Sequence, residues 1–125
     1  MLRILLVEDN EMNSDMLSRR LVRRGFEVSL ARTGREGLHM AERMAPDLIL
    51  MDMSVPEIDG WTATRMLREN PTTRHIGIIA LTAHAMHGDR ERALTAGCDA
   101  FETKPVNFVS LTAEIAKLSA RGIES

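Results

Sequence analysis

Four segments of this 125-residue chain carry the side chains best suited to chemistry: the acidic pair Glu8-Asp9, the lone acid Asp52, Thr82, and Lys104 followed by Pro105. Three carboxylates drawn within several ångströms of one another repel, which raises at least one pKa or recruits a cation. A hard divalent ion resolves that conflict. Mg²⁺ suits an all-oxygen set, because it is bound through one or two carboxylates plus a phosphate oxygen and keeps several waters, whereas calcium takes more ligands than these segments offer. Lys104 supplies a compact point charge able to neutralise a phosphoryl oxygen, and Thr82 a hydroxyl able to donate to another. A carboxylate is itself the nucleophile in aspartyl-phosphate chemistry when a metal neutralises the incoming group. Asp52 is the candidate for that role, since the turn-rich stretch Met53-Ser54-Val55-Pro56-Glu57-Ile58-Asp59-Gly60 that follows leaves room for a donor.

These residues act together only if the fold gathers them. Short apolar runs at Ile4 to Val7, Phe26 to Ala31, Asp47 to Met51, Ile76 to Leu81 and Ala100 to Thr103 read as buried parallel strands. Between and after them, amphipathic stretches predict helices over Glu11 to Arg24, Gly34 to Met44, Gly60 to Glu69, His84 to Ala96 and Val106 to Arg121. Gly25 and Gly97 stand where helices end in a left-handed residue, and Pro46 and Pro71 follow the second and third helices. Thr33 with Glu36 reads as a capping box, and Asn10 and Asp59 are placed to cap the first and third helices. Repeated strand-helix-strand units give right-handed crossovers and a doubly wound, five-stranded parallel sheet with helices on both faces. Ligands of such sheets bind beyond the carboxyl ends of the strands, where the strand order reverses. Glu8, Asp9, Asp52, Thr82 and Lys104 all fall at such ends.

Composition bounds the alternatives. At 44% hydrophobic and 27% charged, the chain is expected to form one domain, residues 1–125, with one sizeable core. Sixteen Lys and Arg against 18 Asp and Glu give a formal charge of −2, so the overall field favours neither nucleic acid nor an acidic membrane. Cys98 has no partner for an intramolecular disulfide, and acids interrupt the amino-terminal apolar run too early for a signal peptide. No apolar run approaches the ~18 residues that span a bilayer. The expected compartment is a reducing cytoplasm.

The segments Leu6-Val7-Glu8-Asp9-Asn10, Pro46-Asp47-Leu48-Ile49-Leu50-Met51-Asp52, Pro56 with Asp59-Gly60, Ala80-Leu81-Thr82-Ala83, and Lys104-Pro105 together resemble the receiver domain of response regulators. The likeness runs from about Arg3 to Ala120 and implies the CheY-like sheet order 2-1-3-4-5. It further implies that Glu8, Asp9, Asp52 and the Ser54 backbone carbonyl hold Mg²⁺. Asp52 would accept phosphate from a histidine kinase or histidine phosphotransfer protein, with Thr82 and Lys104 binding that phosphate. The Lys104-Pro105 peptide bond would be cis, a form tolerated almost only before proline. Ser54 and His84, two residues beyond Asp52 and Thr82, occupy positions that in the family tune the lifetime of the phosphoryl group. Phe101 stands where the family has a switch aromatic, which rotates inward as the threonine moves toward the phosphoryl group. Met86 would join it on a surface facing a downstream protein target. Within the family, Val7-Glu8-Asp9-Asn10-Glu11 with Asn13, and His84-Ala85-Met86 with Gly88-Asp89, look most like stand-alone receivers such as DivK. Similar openings occur in receivers attached to hybrid histidine kinases, so an excised receiver is the alternative. Only about twenty residues follow Lys104, nearly all needed for the last helix, so no output domain and no direct contact with nucleic acid are expected.

Arg19, Arg20, Arg23 and Arg24 crowd the end of the first helix, where cations favour the helix dipole; the resemblance offers a second role, docking a phosphotransfer helix bundle. His39, His75, His84 and His87 read as surface histidines, because no Cys completes a ligand set around them. Met12, Met16, Met40, Met44 and Met66 read as adaptable core filler. Two rival functions fit less well. Phosphatases with an aspartyl-phosphate intermediate carry a second acid where this chain has Ser54. A flavodoxin-like binding scaffold needs a phosphate loop after the first strand and stacking aromatics, against Glu8-Asp9 and 3% aromatic content. A degenerate receiver, working as a phosphate-independent interaction module, is opposed by the complete acidic, Thr and Lys set. The chain is thus expected to be a signalling phosphoacceptor rather than an enzyme with a separate substrate.

Overall fold

The computed structural model describes residues 2–83 and 88–124, with side chains to residue 120. Strands β1 (Arg3–Val7), β2 (Glu27–Ala31), β3 (Leu48–Asp52), β4 (Gly77–Thr82) and β5 (Ala100–Thr103) alternate with helices α1 (Glu11–Arg23), α2 (Gly34–Met44), α3 (Gly60–Glu69), α4 (Asp89–Ala96) and α5 (Phe108–Glu124). All strand pairs are parallel, in the order β2-β1-β3-β4-β5. Successive residues of a strand point to opposite faces, so each central strand feeds two cores. Leu5, Val7, Ile49, Met51, Ile78 and Ala80 pack with Ala41, Ala63, Leu67 and Ala93 of α2, α3 and α4. Ile4, Leu6, Leu48, Leu50, Ile79 and Leu81 pack with Leu21 of α1 and Leu111 and Ile115 of α5.

Local chemistry sets the ends of these elements. Asn10, Thr33 and Asp59 each accept a backbone N–H three residues on, from Asn13, Glu36 and Thr62, at 2.9 to 3.0 Å. Gly25 and Gly97 are left-handed, and the N–H groups after them return to Leu21 and Ala93 to close α1 and α4. The last helix starts at Phe108 rather than Val106, because Asn107 is its cap: its side chain takes the Ser110 N–H and its carbonyl the Leu111 N–H. Of the expected fourth helix, His84 to His87 lie outside the described residues. The expectation of uniformly buried strands fails for β2, which pairs only with β1 and leaves Glu27 and Leu30 exposed at the sheet edge.

The methionine reading also needs correction. Met40 and Met44 are partly buried, but Met12 and Met16 are 77% and 60% exposed on α1 and Met66 is exposed on α3. Among the described residues, the methionines that fill the core are Met51 and Met53. His39 and His75 are exposed, as expected. At the amino-terminal edge of the sheet, Arg68 of α3 donates to the carbonyls of Gly97, Arg74 and Ile76 and to Asp99, which also accepts the Ile78 N–H. One guanidinium thus ties α3 to the starts of β4 and β5, a role no local pattern in the sequence announced.

Candidate functional site

The register of the sheet decides which strand ends meet. Val7 lies opposite Met51, Asp52 opposite Leu81, and Thr82 opposite Thr103, so Glu8, Asp52, Thr82 and Lys104 fall at the same edge. Backbone bonds continue past the strands and hold their tips: Glu8 N–H to Ala31 O at 2.9 Å, Met53 N–H to Leu81 O at 3.0 Å, and Lys104 N–H to Thr82 O at 2.7 Å. Behind Asp52 the loop returns on itself, with Gly60 N–H donating to Met53 O at 3.0 Å. A Cβ at Gly60 would stand 2.6 Å from the Met53 Cα and 2.7 Å from the Asp52 carbonyl oxygen, closer than a side chain can approach. Glycine there is what lets α3 begin directly behind the acid.

Glu8 and Asp52 are 4% and 2% exposed, and Asp9 is exposed above them. One oxygen from each of the three lies within 4.8 Å of the others. Lys104 Nζ reaches between the two buried acids, 2.7 Å from Glu8 Oε1 and 3.1 Å from Asp52 Oδ2. The other Asp52 oxygen, Oδ1, accepts both the Ser54 N–H at 3.1 Å and the Ser54 hydroxyl at 3.0 Å. Asn10 N–H donates to Glu8 Oε2 at 3.2 Å. Thr82 is buried at the tip of β4, and the peptide bond from Lys104 to Pro105 is cis.

The two buried acids divide their charge unequally. Burial pushes the Glu8 carboxyl up, and its bond with Asp52 pushes it further, against the pull of Lys104. Burial also works against the charge on Asp52, but bonds from Glu8, the Ser54 N–H and Lys104 outweigh it and hold that carboxyl low. Burial lowers Lys104 less than its bonds to Glu8 and Asp52 raise it, so the ammonium stays charged. The bonds around Asp52 therefore favour its ionised form, while burial and the neighbouring Asp52 disfavour charge on Glu8. Two buried acids and one exposed one, facing a cation that neutralises only part of their charge, fit a hard divalent ion with open positions toward solvent.

The resemblance gives Ser54 a metal-binding carbonyl and a part in tuning phosphoryl lifetime; its N–H and hydroxyl bonds to Asp52 are additional to both, although an aspartate accepting from the backbone two residues on is a common local turn. The Asn10 N–H on Glu8 is likewise additional. Phe101 is half-buried against the core that includes Ala93 of α4. Met86 and His84 lie outside the described residues. The four arginines of the first helix and its cap divide: Arg20 and Arg24 lie over the Phe108 ring at 4.4 and 5.7 Å, while Arg19 pairs with Asp15 and, with Arg23, flanks exposed Val22. Cys98 is buried away from the acidic cluster beside Thr64, and burial pushes its thiol up to about 11.

A 2-1-3-4-5 sheet with an acid cluster, a threonine and a lysine at its carboxyl edge defines the CheY-like class of signalling domain. The chain matches the response regulator receiver domain over residues 4–116 and belongs to that family. It is 43% identical over 117 residues to the response regulator PleD of Caulobacter vibrioides, covering 94% of this chain but only 26% of PleD. It is 41% identical over 104 residues to the polar-differentiation response regulator DivK of Brucella ovis, covering 83% of this chain and 85% of DivK. Among solved structures, the receiver domain of the sensor histidine kinase PA1611 from Pseudomonas aeruginosa, crystallised with a magnesium ion in its active site cleft, superposes with a TM-score of 0.87. It shares 39% identity over 94% of this chain and 96% of that one. The receiver domain of Ssk1 from Saccharomyces cerevisiae, solved with the histidine phosphotransfer protein Ypd1, gives a TM-score of 0.87 and 29% identity, covering 94% of this chain and 88% of that one. The chain is thus a receiver domain of the kind found in two-component response regulators. Among the described residues no helix is long and apolar enough to cross a membrane.

Proposed function

We propose that Asp52 is the phosphoacceptor and that its phosphorylation by a histidine kinase or histidine phosphotransfer protein controls the binding of a downstream protein. The observation that carries this reading is the environment of Asp52: a buried carboxylate kept ionised, with Lys104 at 3.1 Å and Glu8 and Asp9 beside it. An Asp52 oxygen attacks phosphorus, the P–N bond of the phosphohistidine breaks, and the departing imidazole nitrogen keeps the electron pair and takes a proton from solvent. Lys104, already charged between the acids, neutralises a phosphoryl oxygen, and the Thr82 hydroxyl donates to another. Glu8, Asp9, Asp52 and the Ser54 carbonyl would hold Mg²⁺, which supplies charge neutralisation for the incoming phosphoryl group. Ser54, with its hydroxyl on Asp52, and His84 tune how long the phosphoryl group survives before the domain removes it by hydrolysis.

The exposed strip Met12, Met16, Arg19, Val22 and Arg23 on α1 suits a phosphotransfer partner with an apolar, acidic surface. Output runs through Phe101, with Met86 as a second contact for the downstream protein. Moving that equilibrium from 1:99 to 99:1 needs about 5.5 kcal/mol, whereas one hydrogen bond to a charged group contributes about 1.5–3 kcal/mol. Thr82 alone is therefore too weak, and Lys104 with preferential partner binding supplies the rest. The likeness to DivK favours output through protein contacts in the cytoplasm rather than through nucleic acid.

The test is intact-mass detection of an adduct after incubation with acetyl phosphate, with and without Mg²⁺. A Mg²⁺-dependent adduct in the wild type that disappears in Asp52→Asn and is slowed in Thr82→Ala supports the reading. No adduct in a folded wild type that binds Mg²⁺ would move the weight to a phosphate-independent interaction module.

A further inference from the structure

The loop that leaves Asp52 is pinned at two carbonyls, and Ser54 lies between the pins. On the near side the Met53 carbonyl accepts the Gly60 N–H at 3.0 Å. On the far side the Pro56 carbonyl accepts two N–H groups, from Ile58 at 2.9 Å and from Gly34 at 3.2 Å. The Ile58 bond closes a three-residue turn whose central residue, Glu57, has a φ of 70°. A non-glycine residue in that left-handed region is strained and persists where its surroundings hold it there.

What holds the turn is the start of α2. Gly34 is buried beneath it, and a Cβ at Gly34 would run into the Ile58 carbonyl. The same end of α2 is tied to the other half of the acid cluster, since the Ala31 carbonyl, three residues before Gly34, accepts the Glu8 N–H at 2.9 Å. A segment with no reacting group thus bonds to both segments that carry the acids. Val55 is buried and Ile58 packs on the core, so the backbone between the pins has little freedom left. Arg35 reaches Glu57 at 3.6 Å, but both side chains are more than half exposed, and such a pair adds little.

We propose that Gly34 and Glu57 are positioning residues for the Ser54 carbonyl: the left-handed turn at Glu57, resting on Gly34, fixes the backbone that carries this carbonyl and so sets the affinity of the acid cluster for Mg²⁺. This role rests on the reading of the Ser54 carbonyl as a metal ligand.

The experiment compares Glu57→Gly with Glu57→Val in the whole chain. Both remove the same exposed charge and the same pair with Arg35, so they differ in backbone preference: glycine enters the left-handed region freely, and a β-branched residue resists it. Mg²⁺ affinity is measured by calorimetric titration, exchange of the Gly34 and Ile58 amides by NMR, and stability by urea unfolding. Glu57→Gly should bind Mg²⁺ within about 2-fold of wild type, and Glu57→Val about 5-fold or more weakly, the lower end of what left-handed strain is worth. The Gly34 and Ile58 amides should exchange faster in Glu57→Val than in Glu57→Gly. Gly34→Ala should weaken Mg²⁺ binding as Glu57→Val does. Gly37→Ala, one turn on, meets the Val7 side chain instead of the loop backbone and should leave affinity within about 2-fold even where the urea midpoint falls. The Glu57 pair decides the matter if Gly34→Ala does not fold. Equal affinity in Glu57→Gly and Glu57→Val, beside a wild type that binds Mg²⁺, would overturn the positioning role. So would a loss of affinity that follows the urea midpoint across the four variants. A wild type that binds no Mg²⁺ would instead overturn the metal reading of Ser54, with the Gly34 and Ile58 amides still deciding whether Glu57 holds the loop.

Discussion

Lys104 occupies the position a metal ion would contest. Its ammonium bridges Glu8 Oε1 and Asp52 Oδ2 at 2.7 and 3.1 Å, so it both neutralises the buried pair and repels any second cation brought to the same oxygens. Two unit charges about 4 Å apart repel by roughly 1 kcal/mol even in water, and by more where burial lowers the effective dielectric. Lys104→Met should therefore raise Mg²⁺ affinity by about 5-fold or more at fixed ionic strength, while slowing the accumulation of phosphorylated Asp52. Calorimetric titration with Mg²⁺ measures the first effect and intact mass the second; unchanged affinity would mean that the ammonium does not sit on these oxygens in solution. The identity of the five reactive residues was legible because each ends an apolar run, and parallel strands bring such ends together. The second layer was not, since the Ser54 and Asn10 bonds involve backbone N–H groups whose aim depends on loop geometry. Nor could the spacing reveal that the two acids shift in opposite directions, Glu8 up and Asp52 down, which follows from the bonds each acid receives after burial.

The elements were read most accurately where a side chain marks an end and least where tertiary contact decides. Asp59 starts α3 as its sequence position implied, its carboxylate accepting both the N–H and the hydroxyl of Thr62. Burial, the largest single influence, works against the charge, but the bonds from Thr62 and the Trp61 N–H, with the nearby Arg65 charge, together outweigh it and hold the carboxyl below its usual value. A folded-state pKa below the unfolded one gives stability that is present above the unfolded value and lost as pH falls through the folded value. Asp59→Ala should thus cost about 0.5–2 kcal/mol at pH 7, and the difference from wild type should shrink as pH falls through the carboxylate range. Asp59→Asn, a neutral cap, should cost less and show no such pH dependence. Urea unfolding of the three proteins across that range is the check; a pH-independent penalty for Asp59→Ala would reject the charged cap. Other features had no local signal. Nothing in its local sequence sets Arg68 apart from other cations, and only the approach of the ends of α3, α4 and β4 gives its guanidinium four acceptors. The edge position of β2 and the outward turn of Met12 and Met16 also follow from which face each element lays on the sheet, which apolar content alone does not specify.

At the scale of the whole molecule, a formal charge of −2 hides an uneven distribution. The carboxyl edge of the sheet carries Glu8, Asp9 and Asp52, while the far end of α1 presents exposed arginines. Arg20 and Arg24 are engaged with Phe108 of α5 and stabilise the packing of α1 on the body. Arg19 and Arg23 are the pair turned toward Val22, on a helix whose other exposed apolar residues, Met12 and Met16, lead back to the acidic site. A partner aligned along α1 would therefore meet apolar contacts near the reacting groups and positive charge at the distal end, an arrangement that fixes direction as well as attraction. Reversing both charges, Arg19→Glu with Arg23→Glu, should slow phosphotransfer from a histidine phosphotransfer protein while leaving modification by acetyl phosphate within about 2-fold of wild type, because rim charges act mainly on association. The loss should diminish as salt rises, since exposed charges are screened beyond about 10 Å at 0.1 M ionic strength. Reversing Arg20 and Arg24 instead should lower stability through the lost contacts with Phe108. Equal slowing with the protein donor and with acetyl phosphate would place the arginines' effect in the fold or the site, and a loss unaffected by salt would remove the electrostatic account of docking.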